Sequence, residues 1–434
     1  MSSDSAFIGP KYPINYERSL DLLKQLEVPA CFLRDTEEDT PSESKDFLES
    51  VVLVMKELSE IFTTEPENAL NESLLDRVIF TSSKYLRDVK WSSEYIRDLA
   101  AELLAQLSQI LHLSVAEMVD LRLEAILQQQ IKPLFKRHPG LEKNFRKHRG
   151  KKTVDQEFYE NQAWKSDCIG AVTGFKWCLQ MTTSSTISHC QELIVPPLLT
   201  LVDDFDIRYK TIGVEILDLA LSSIDISKLR KLALDQVFYE ALTSCLTYRS
   251  NATEAELLSV SLSTILHLVN QMYPQNTKEW FLKVEEVFLN GIVDGFSLGG
   301  DNIAVRSVII QKIPLFLNTM GPFSIQYLST LVKELTRTLK LPILDDIQGK
   351  DIHLLTAQSI EALIQIAWPR LDSYCHDLLT AILVVWVNSQ RKGAMNDLNQ
   401  LLIRIYILLN TVCGDKLQHE LGVLRELDDP VESS

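Results

Sequence analysis

The sequence predicts an all-α protein made of stacked antiparallel helix pairs. Apolar residues recur with helical spacing, turn signals recur at a regular interval, and the 434 residues include only 15 glycines and 15 prolines. Alternation of apolar and polar residues, which indicates β-strands, is nearly absent. So few glycines do not suit a sandwich, a barrel or a dinucleotide-binding fold, because these folds need many glycine-dependent turns.

The helical spacing places apolar residues at i, i+3, i+4 and i+7, on one face of each helix. Two capping-box patterns mark helix starts, Ser114 with Glu117 and Thr253 with Glu256. The spacing is clearest in three segments, residues 96–111, 234–246 and 371–382.

The turn residues that separate the predicted helices recur at a regular interval. Five helix pairs are expected within residues 186–413, and successive pairs begin 41 to 50 residues apart. A period near 45 residues built from two helices is typical of HEAT repeats. The predicted architecture is therefore a HEAT-like α-solenoid, with an irregular globular helical bundle as the alternative. The expected starts lie near Thr186, Ser227, Thr277, Ser324 and Leu371.

The predicted domain organisation has four parts. An N-terminal helical region (1–131) is followed by a basic linker (132–155), the helical-repeat solenoid (156–425) and an acidic tail (426–434). The N-terminal region contains candidate helices without a clean period, and its residues 34–46 are expected to form a polar, acidic loop. These candidate helices lie near residues 15–26, 43–63, 71–89, 92–112 and 115–131.

Residues 132–152 contain nine lysines and arginines and one glutamate. Such a run could bind RNA, an anionic lipid surface or an acidic protein partner. Phe135 and Phe145 are too sparse for a platform that stacks bases. The favoured interpretation is a mobile, solvated loop that is dispensable for folding.

The net charge of −16 opposes nucleic-acid binding over most of the surface. Seven cysteines without a CxxC pair indicate reduced thiols in a cytoplasmic and nuclear protein. The N-terminus has no pattern of a signal peptide. The most apolar run, residues 378–387, is shorter than the roughly 20 residues of a membrane span and is expected to be a buried helix.

The motifs that could carry chemistry favour structural interpretations. The glycine-rich segment 295–301 lacks the Lys-Ser/Thr of a phosphate-binding loop and follows no strand. His189-Cys190 and Cys375-His376 lack a second pair at zinc spacing. We therefore expect no catalytic residues, no metal site and no cofactor, and an enzyme is the least favoured function.

Two apolar helical runs flank Asp203-Asp204, and Arg208 and Lys210 open the second run. Carboxylates stabilise helix N-termini, so Asp203 and Asp204 are expected to cap the second helix. Arg208 is expected to bridge adjacent repeats and Lys210 to face solvent. Residues 301–306 repeat the pattern, with the arginine at 306 placed like Arg208.

The segment PPLLTLVDDFDIRYKTIG resembles the signature of the second Tel-two-interacting protein family, the smallest subunit of the Triple-T (TTT) cochaperone complex. Gln162, Trp164 and Lys165 are similar to the Gln-x-Trp-Lys entry helix of that family. Trp368-Pro369-Arg370 is similar to its Trp-Pro-Arg corner.

The resemblance covers residues 156–388, and nothing is carried over to the N-terminal region. Phe205 departs from the family pattern, which has a tyrosine or a histidine after the two aspartates. Because the likeness lies C-terminal, residues 156–434 are expected to carry the partner surface. The candidate structural and partner-surface residues are Trp164, Lys165, Asp203, Asp204, Arg208, Lys210, Trp368, Pro369 and Arg370.

The resemblance implies a non-catalytic scaffold. The family works with two larger helical-repeat subunits and the heat-shock chaperone machinery to fold and assemble phosphatidylinositol-kinase-related kinases, including TOR and the DNA-damage checkpoint kinases. Telomere maintenance and TOR signalling follow from that role. Neither nucleic acid nor membrane is expected as a direct partner. An importin-like or other HEAT-repeat transport adaptor is the alternative, although the six tryptophans show no repeat-periodic spacing.

Overall fold

The computed structural model describes residues 14–33, 42–64, 71–135, 162–343, 347–391 and 396–428. These residues form helices, turns and one isolated β-bridge between Val89 and Ser92, without a β-strand. The chain divides into two compact units, Met1–Leu234 and Asp235–Ser434. The all-α prediction is confirmed. Most of the basic run and of the acidic tail lies outside the described residues.

The first unit is a stack of two helical layers. One layer contains α1, α3, α7 and α10, each packed on the next, and the other contains α2, α4, α5 and α9. The apolar core lies between the layers. The helices are α1 Ile14–Gln25, α2 Ser42–Thr64, α3 Glu72–Ser83, α4 Glu94–Leu111, α5 Val115–Ile126, α6 Ala163–Ser166, α7 Ala171–Gln180, α8 Ser184–His189, α9 Gln191–Val202, α10 Ile207–Leu221 and α11 Ile226–Lys231.

The second unit repeats this construction. In one layer α13, α16, α18 and α20 pack in succession, and in the other α19 packs on α17. The helices are α12 Leu234–Cys245, α13 Ala252–Met272, α14 Lys278–Phe288, α15 Asp294–Gly299, α16 Ile303–Met320, α17 Leu328–Leu339, α18 Ile347–Ala367, α19 Cys375–Arg391 and α20 Asn396–Asp428.

The HEAT-like α-solenoid class is confirmed, and the helices of four of the five predicted pairs pack on each other within one unit. Short 3-10 helices, Gly321–Tyr327 and Trp368–Tyr374, open the fourth and fifth pairs. The helices predicted to form the second pair fall in different units, α11 in the first and α13 in the second, so this pair stays a prediction. The pairs are α8–α9 with α10, α11–α12 with α13, α14–α15 with α16, α17 with α18, and α19 with α20.

The N-terminal helices also belong to this layered arrangement, although the sequence showed no period there. α3 packs on α1 and α7, and α4 packs on α2 and α5. The connections between these helices differ widely in length, and residues 127–162 lie between α5 and α6. The period is therefore absent from the sequence even though the layers are present in the structure.

One of the two predicted capping boxes is confirmed. Ser114 accepts a hydrogen bond from the backbone N–H of Glu117, whose side chain accepts one from the backbone N–H of Ser114. The other box was placed two residues too late. α13 is capped by Asn251, whose side chain accepts a hydrogen bond from the N–H of Glu254 at 2.9 Å.

The Ser114 box makes stability depend on pH. Its hydrogen bonds lower the pKa of Glu117. This contribution is therefore complete above the usual glutamate pKa of about 4.3 and is lost as the pH falls through the lowered folded-state value. We expect the melting-temperature gap between wild type and Ser114→Ala to narrow between about pH 5 and pH 3. As a control, the difference in melting temperature between Glu117→Gln and the double variant Ser114→Ala with Glu117→Gln should not change with pH. An equal narrowing of that difference would contradict the assignment of the pH dependence to Glu117.

The described cysteines are free thiols, and all except the half-buried Cys31 are buried. Burial raises the pKa of Cys178 to about 12, which suits a small core residue rather than a nucleophile.

Among the described residues, Ile303–Leu339 is long and apolar enough to cross a membrane, and the bent pair Glu94–Leu111 and Val115–Leu134 passes the same test together. Core helices of soluble proteins also pass this test. α16, the first part of Ile303–Leu339, packs between α13 and α18, and a 3-10 helix interrupts the stretch before α17. These contacts make α16 a core helix of its unit.

Candidate functional site

Two of the three segments that carry the family resemblance meet at the turn between α9 and α10, residues 203–206, hereafter the 203–206 turn. The two helices cross closely because α10 has a glycine at the crossing. A Cβ atom on Gly213 would lie 2.7 Å from the Cβ of Leu201 and 2.9 Å from the backbone nitrogen of Val202. This approach holds the turn in a narrow corner.

The cap of α10 is Asp206, not Asp203 or Asp204 as predicted. Its backbone is extended, and its side chain accepts a hydrogen bond from the N–H of Arg208 at 3.0 Å. Asp203 instead ends α9, where its N–H donates to the carbonyl of Leu199. The physical reason is position: α10 begins at Ile207, and a capping residue must directly precede the first helical residue.

Asp204 has a different role from the predicted cap. It is fully buried, and its Oδ1 accepts hydrogen bonds from the Nζ of Lys165 at 2.7 Å and from the N–H of Asp206 at 2.8 Å. Burial raises the pKa of Asp204, against the opposing effect of Lys165. The Lys165–Asp204 pair therefore ties α6 to the 203–206 turn.

Aromatic rings cover this ion pair. Trp164 is fully buried, stacks on Phe135 at 5.4 Å between ring centroids and meets Tyr209 edge-to-face at 4.6 Å. The Nζ of Lys165 lies 5.0 Å from the centroid of Trp164 and 5.5 Å from that of Tyr209. Burial raises the pKa of Tyr209 to about 12. Lys165 thus combines a carboxylate and two ring faces in one low-dielectric site.

Lys210 is buried, whereas the sequence predicted that it faces solvent. It is 4% exposed, and its Nζ donates to the carbonyl oxygen of Val202 at 3.1 Å. Val202 is the last residue of α9. A cation there satisfies a backbone acceptor that the helix itself cannot pair and complements the helix dipole.

Arg208 is half-exposed and forms an ion pair with Asp206 across the same turn, at 2.8 Å. The expected bridge between adjacent repeats is observed at Arg306, which is 4% exposed. Arg306 donates to the carbonyl of Gly300 and to Thr338 Oγ1, the latter at 2.6 Å in α17.

The two corners correspond in a different register from the one predicted. α16 is capped by Asn302, as α10 is capped by Asp206. Counting from the cap, the equivalent of Arg306 is Lys210 and not Arg208. In each corner a buried cation four residues after the cap donates to a backbone carbonyl that precedes the cap. The candidate role of these residues is therefore structural, since they fix the corner between two helices.

Replacing Lys210 by alanine should destabilise the protein by about 1–3 kcal/mol, because the Val202 carbonyl loses a buried donor. Chemical denaturation of the full chain measures this. The matched control is Lys228→Ala, because Lys228 is exposed on α11. This substitution should change the free energy of unfolding by less than about 0.5 kcal/mol. Equal effects of the two substitutions would show that the corner does not depend on Lys210.

The Trp368-Pro369-Arg370 motif lies in the second unit. It opens the 3-10 helix between α18 and α19, and Leu371 anchors that helix in the core. Trp368 is 60% exposed, and Pro369 and Arg370 are exposed. The motif forms a corner between two helix pairs and presents an aromatic side chain at the surface.

Sequence reasoning missed Asp206, Tyr209 and Gly213 as parts of the first corner. Asp206 had a detectable signal, since it directly precedes the apolar run of α10. In the part of the chain that the structure describes, no group of three or more His, Cys, Asp or Glu side chains could hold a metal ion.

The sequence model of the Tti2 family matches residues 74–345, more than half of the chain. The chain belongs to the Tti2 family. The Tti2 match contains the 203–206 turn and Trp164, and it begins at α3. The predicted extent of 156–388 therefore began too late and ended beyond the matched residues, and Trp368-Pro369-Arg370 lies outside the match.

Two proteins named TELO2-interacting protein 2 are similar to this Tti2 chain. The human protein is 23% identical over 230 residues, which is 51% of this chain and 43% of that protein. The mouse protein is 22% identical over 214 residues, 48% of this chain and 40% of that protein. The matched region thus spans less than half the length of either relative.

Among solved structures, two crystal structures of importin beta are similar to this Tti2 chain. One has a TM-score of 0.49 at 12% identity and covers 98% of this chain and 50% of that chain. The other has a TM-score of 0.47 at 12% identity and covers 95% of this chain and 54% of that chain. Likeness at this level does not indicate a shared function.

Proposed function

We propose that the chain is a non-catalytic scaffold subunit of the TTT cochaperone complex. The match to the Tti2 family over residues 74–345 carries this proposal, and the names of the human and mouse relatives describe proteins that interact with TELO2. A stack of helix pairs with fixed corners is suited to presenting extended surfaces to other proteins. Its partners are the two larger helical-repeat subunits of the complex.

The finer role is support for the folding, stability and assembly of phosphatidylinositol-kinase-related kinases together with the heat-shock chaperone machinery. TOR and the DNA-damage checkpoint kinases are the clients. Contact with the chaperone and the kinases is indirect, through the larger subunits. The proposed location is the cytoplasm and the nucleus, and the free, buried thiols of the described cysteines suit such reducing compartments.

Coexpression tests the assignment. The full chain is expected to co-elute in size-exclusion chromatography with the two larger subunits, TELO2 and its second partner, from the same species. The proposal is wrong if the two larger subunits bind each other while this chain elutes alone. Depletion of the chain in cells should then lower the steady-state amount of the kinases without lowering their messenger RNA. Unchanged kinase amounts would contradict the client assignment and leave complex membership intact.

A further inference from the structure

The last helix pair of the second unit exposes aliphatic side chains on both of its helices. Val384 and Val387 on α19 are 37% and 46% exposed, and Ile403 and Ile407 on α20 are 46% and 56% exposed. We call these four residues the end face. Apolar side chains scattered singly over a surface are ordinary, but these four lie on two helices that pack against each other.

Spacing places each pair of residues on one side of its helix. Val384 and Val387 are three residues apart and Ile403 and Ile407 four apart, so each pair forms a short apolar stripe. The opposite sides of these helices are buried. α19 packs on α17, α20 packs on α18, and the two helices pack on each other. The end face therefore points away from the helices of its own unit.

Ion pairs also connect α20 to its neighbours. The Nη2 atom of Arg404 donates to Oε2 of Glu361 in α18 at 2.7 Å, and the Nζ of Lys416 lies 3.2 Å from Oδ2 of Asp372. These contacts connect α20 to α18 and to the 3-10 helix before α19. The packing of α19 on α17 and of α20 on α18, together with these ion pairs, positions the end face.

Inside the second unit, each layer grows when one helix covers the apolar side of the previous one: α16 covers α13, α18 covers α16 and α20 covers α18. The end face offers the next step of this succession in both layers. Exposed apolar side chains that cluster on a surface mark interaction sites. Four exposed aliphatic side chains there indicate a surface that another helix pair covers.

We propose that the end face docks an antiparallel helix pair of a different helical-repeat protein, which continues the stack across a protein–protein interface. The inference rests on the proposed function and assigns this surface to one of the larger TTT subunits. Apolar stripes on two adjacent helices match two helices better than one. The net charge of −16 disfavours a second copy of this chain, because association would bring like charges together. Exposed Asp377 and Asp397, in the first turns of α19 and α20, favour lysines and arginines on the partner.

Affinity measurements with the full chain and the purified pair of larger subunits test the proposal. Ile403→Lys with Ile407→Lys, and separately Val384→Lys with Val387→Lys, should each weaken binding at least tenfold. Leu121→Lys is the matched control, since Leu121 is a 70% exposed leucine on α5 of the first unit. The control should bind like the wild type. All variants should retain the wild-type melting temperature, because the altered side chains are exposed.

A photo-crosslinking residue at position 403 or 121 of the otherwise wild-type chain gives a readout that does not depend on the stability of lysine variants. We expect the larger subunits to crosslink at 403 and not at 121. Wild-type affinity of both double variants, without crosslinking at 403, would overturn the end face while leaving complex membership standing. A wild-type chain that binds neither subunit would overturn the proposed function and this inference together. Sedimentation would refute the proposed occupant if the wild-type chain is a dimer and the double variant Ile403→Lys with Ile407→Lys is a monomer. That result would identify a second copy of this chain as the occupant of the end face.

Discussion

Replacing Asp204 by alanine is expected to cost about 3–5 kcal/mol of folding stability, because it leaves Lys165 largely buried without its counterion. The Lys165 side chain is only 18% exposed, and its Nζ lies 2.7 Å from the carboxylate of Asp204. The substitution also removes the acceptor of the Asp206 N–H. The free energy of unfolding from urea titration of the full chain measures this loss.

Asp88 gives a matched control in the same unit. It forms an ion pair with Arg97 at 3.1 Å but is 97% exposed, so Asp88→Ala should cost less than about 1 kcal/mol. If Asp204→Ala costs no more than Asp88→Ala, the buried pair does not hold the 203–206 turn. If the turn is structural, as we propose, and does not contact the partner, a loss of binding to the larger subunits should occur only together with this loss of stability.

Asp76→Ala should have an effect of similar size, about 3–5 kcal/mol, in the N-terminal part of the first unit. Asp76 in α3 is fully buried and accepts two hydrogen bonds from Arg122 of α5, at 2.8 Å from Nε and 2.9 Å from Nη2. This two-point contact raises the pKa of Arg122 well above its usual range. Removing the carboxylate leaves a guanidinium that is 16% exposed without its main partner.

Glu72 is the control for this pair because it also contacts Arg122, at 3.0 Å, yet its side chain is 83% exposed. Glu72→Ala should cost less than about 1 kcal/mol. Thermal and urea denaturation of both variants give the comparison. Equal costs for Glu72→Ala and Asp76→Ala would mean that exposure does not set the strength of these contacts to Arg122.

The sequence carried the fold because apolar spacing and turn residues are local signals. The helical spacing of apolar residues is visible within residues 234–246 and within residues 371–382. The structure has helices there, α12 and α19. The starts of the five pairs were close to the observed ones for the same reason. The N-terminal layers were not recognised as repeats, since connections of unequal length hide a period even when the helices stack alike.

The candidate site was predicted in location but not in detail. Three aspartates within four positions could each cap α10, and only the observed start of the helix identifies Asp206. Lysine is usually exposed, so the burial of Lys210 depends on the end of α9, which sequence spacing does not specify. The contact of Trp164 with Phe135 joins residues far apart in the chain. Such contacts come from tertiary packing alone.

Arg306 has a consequence for how the second unit comes apart. Its guanidinium donates within its own corner, to Gly300, and to Thr338 of the following pair. In repeat proteins, the free energy at the junction between neighbours determines whether they unfold singly or as a block. Separating the two pairs would break the contacts of Arg306 with Thr338 and with Glu334, whose carboxylate lies 3.5 Å from the guanidinium, so melting one pair alone is unfavourable. We therefore expect the helices within residues 294–339 to unfold together, with Arg306 as one of the side chains that couple them.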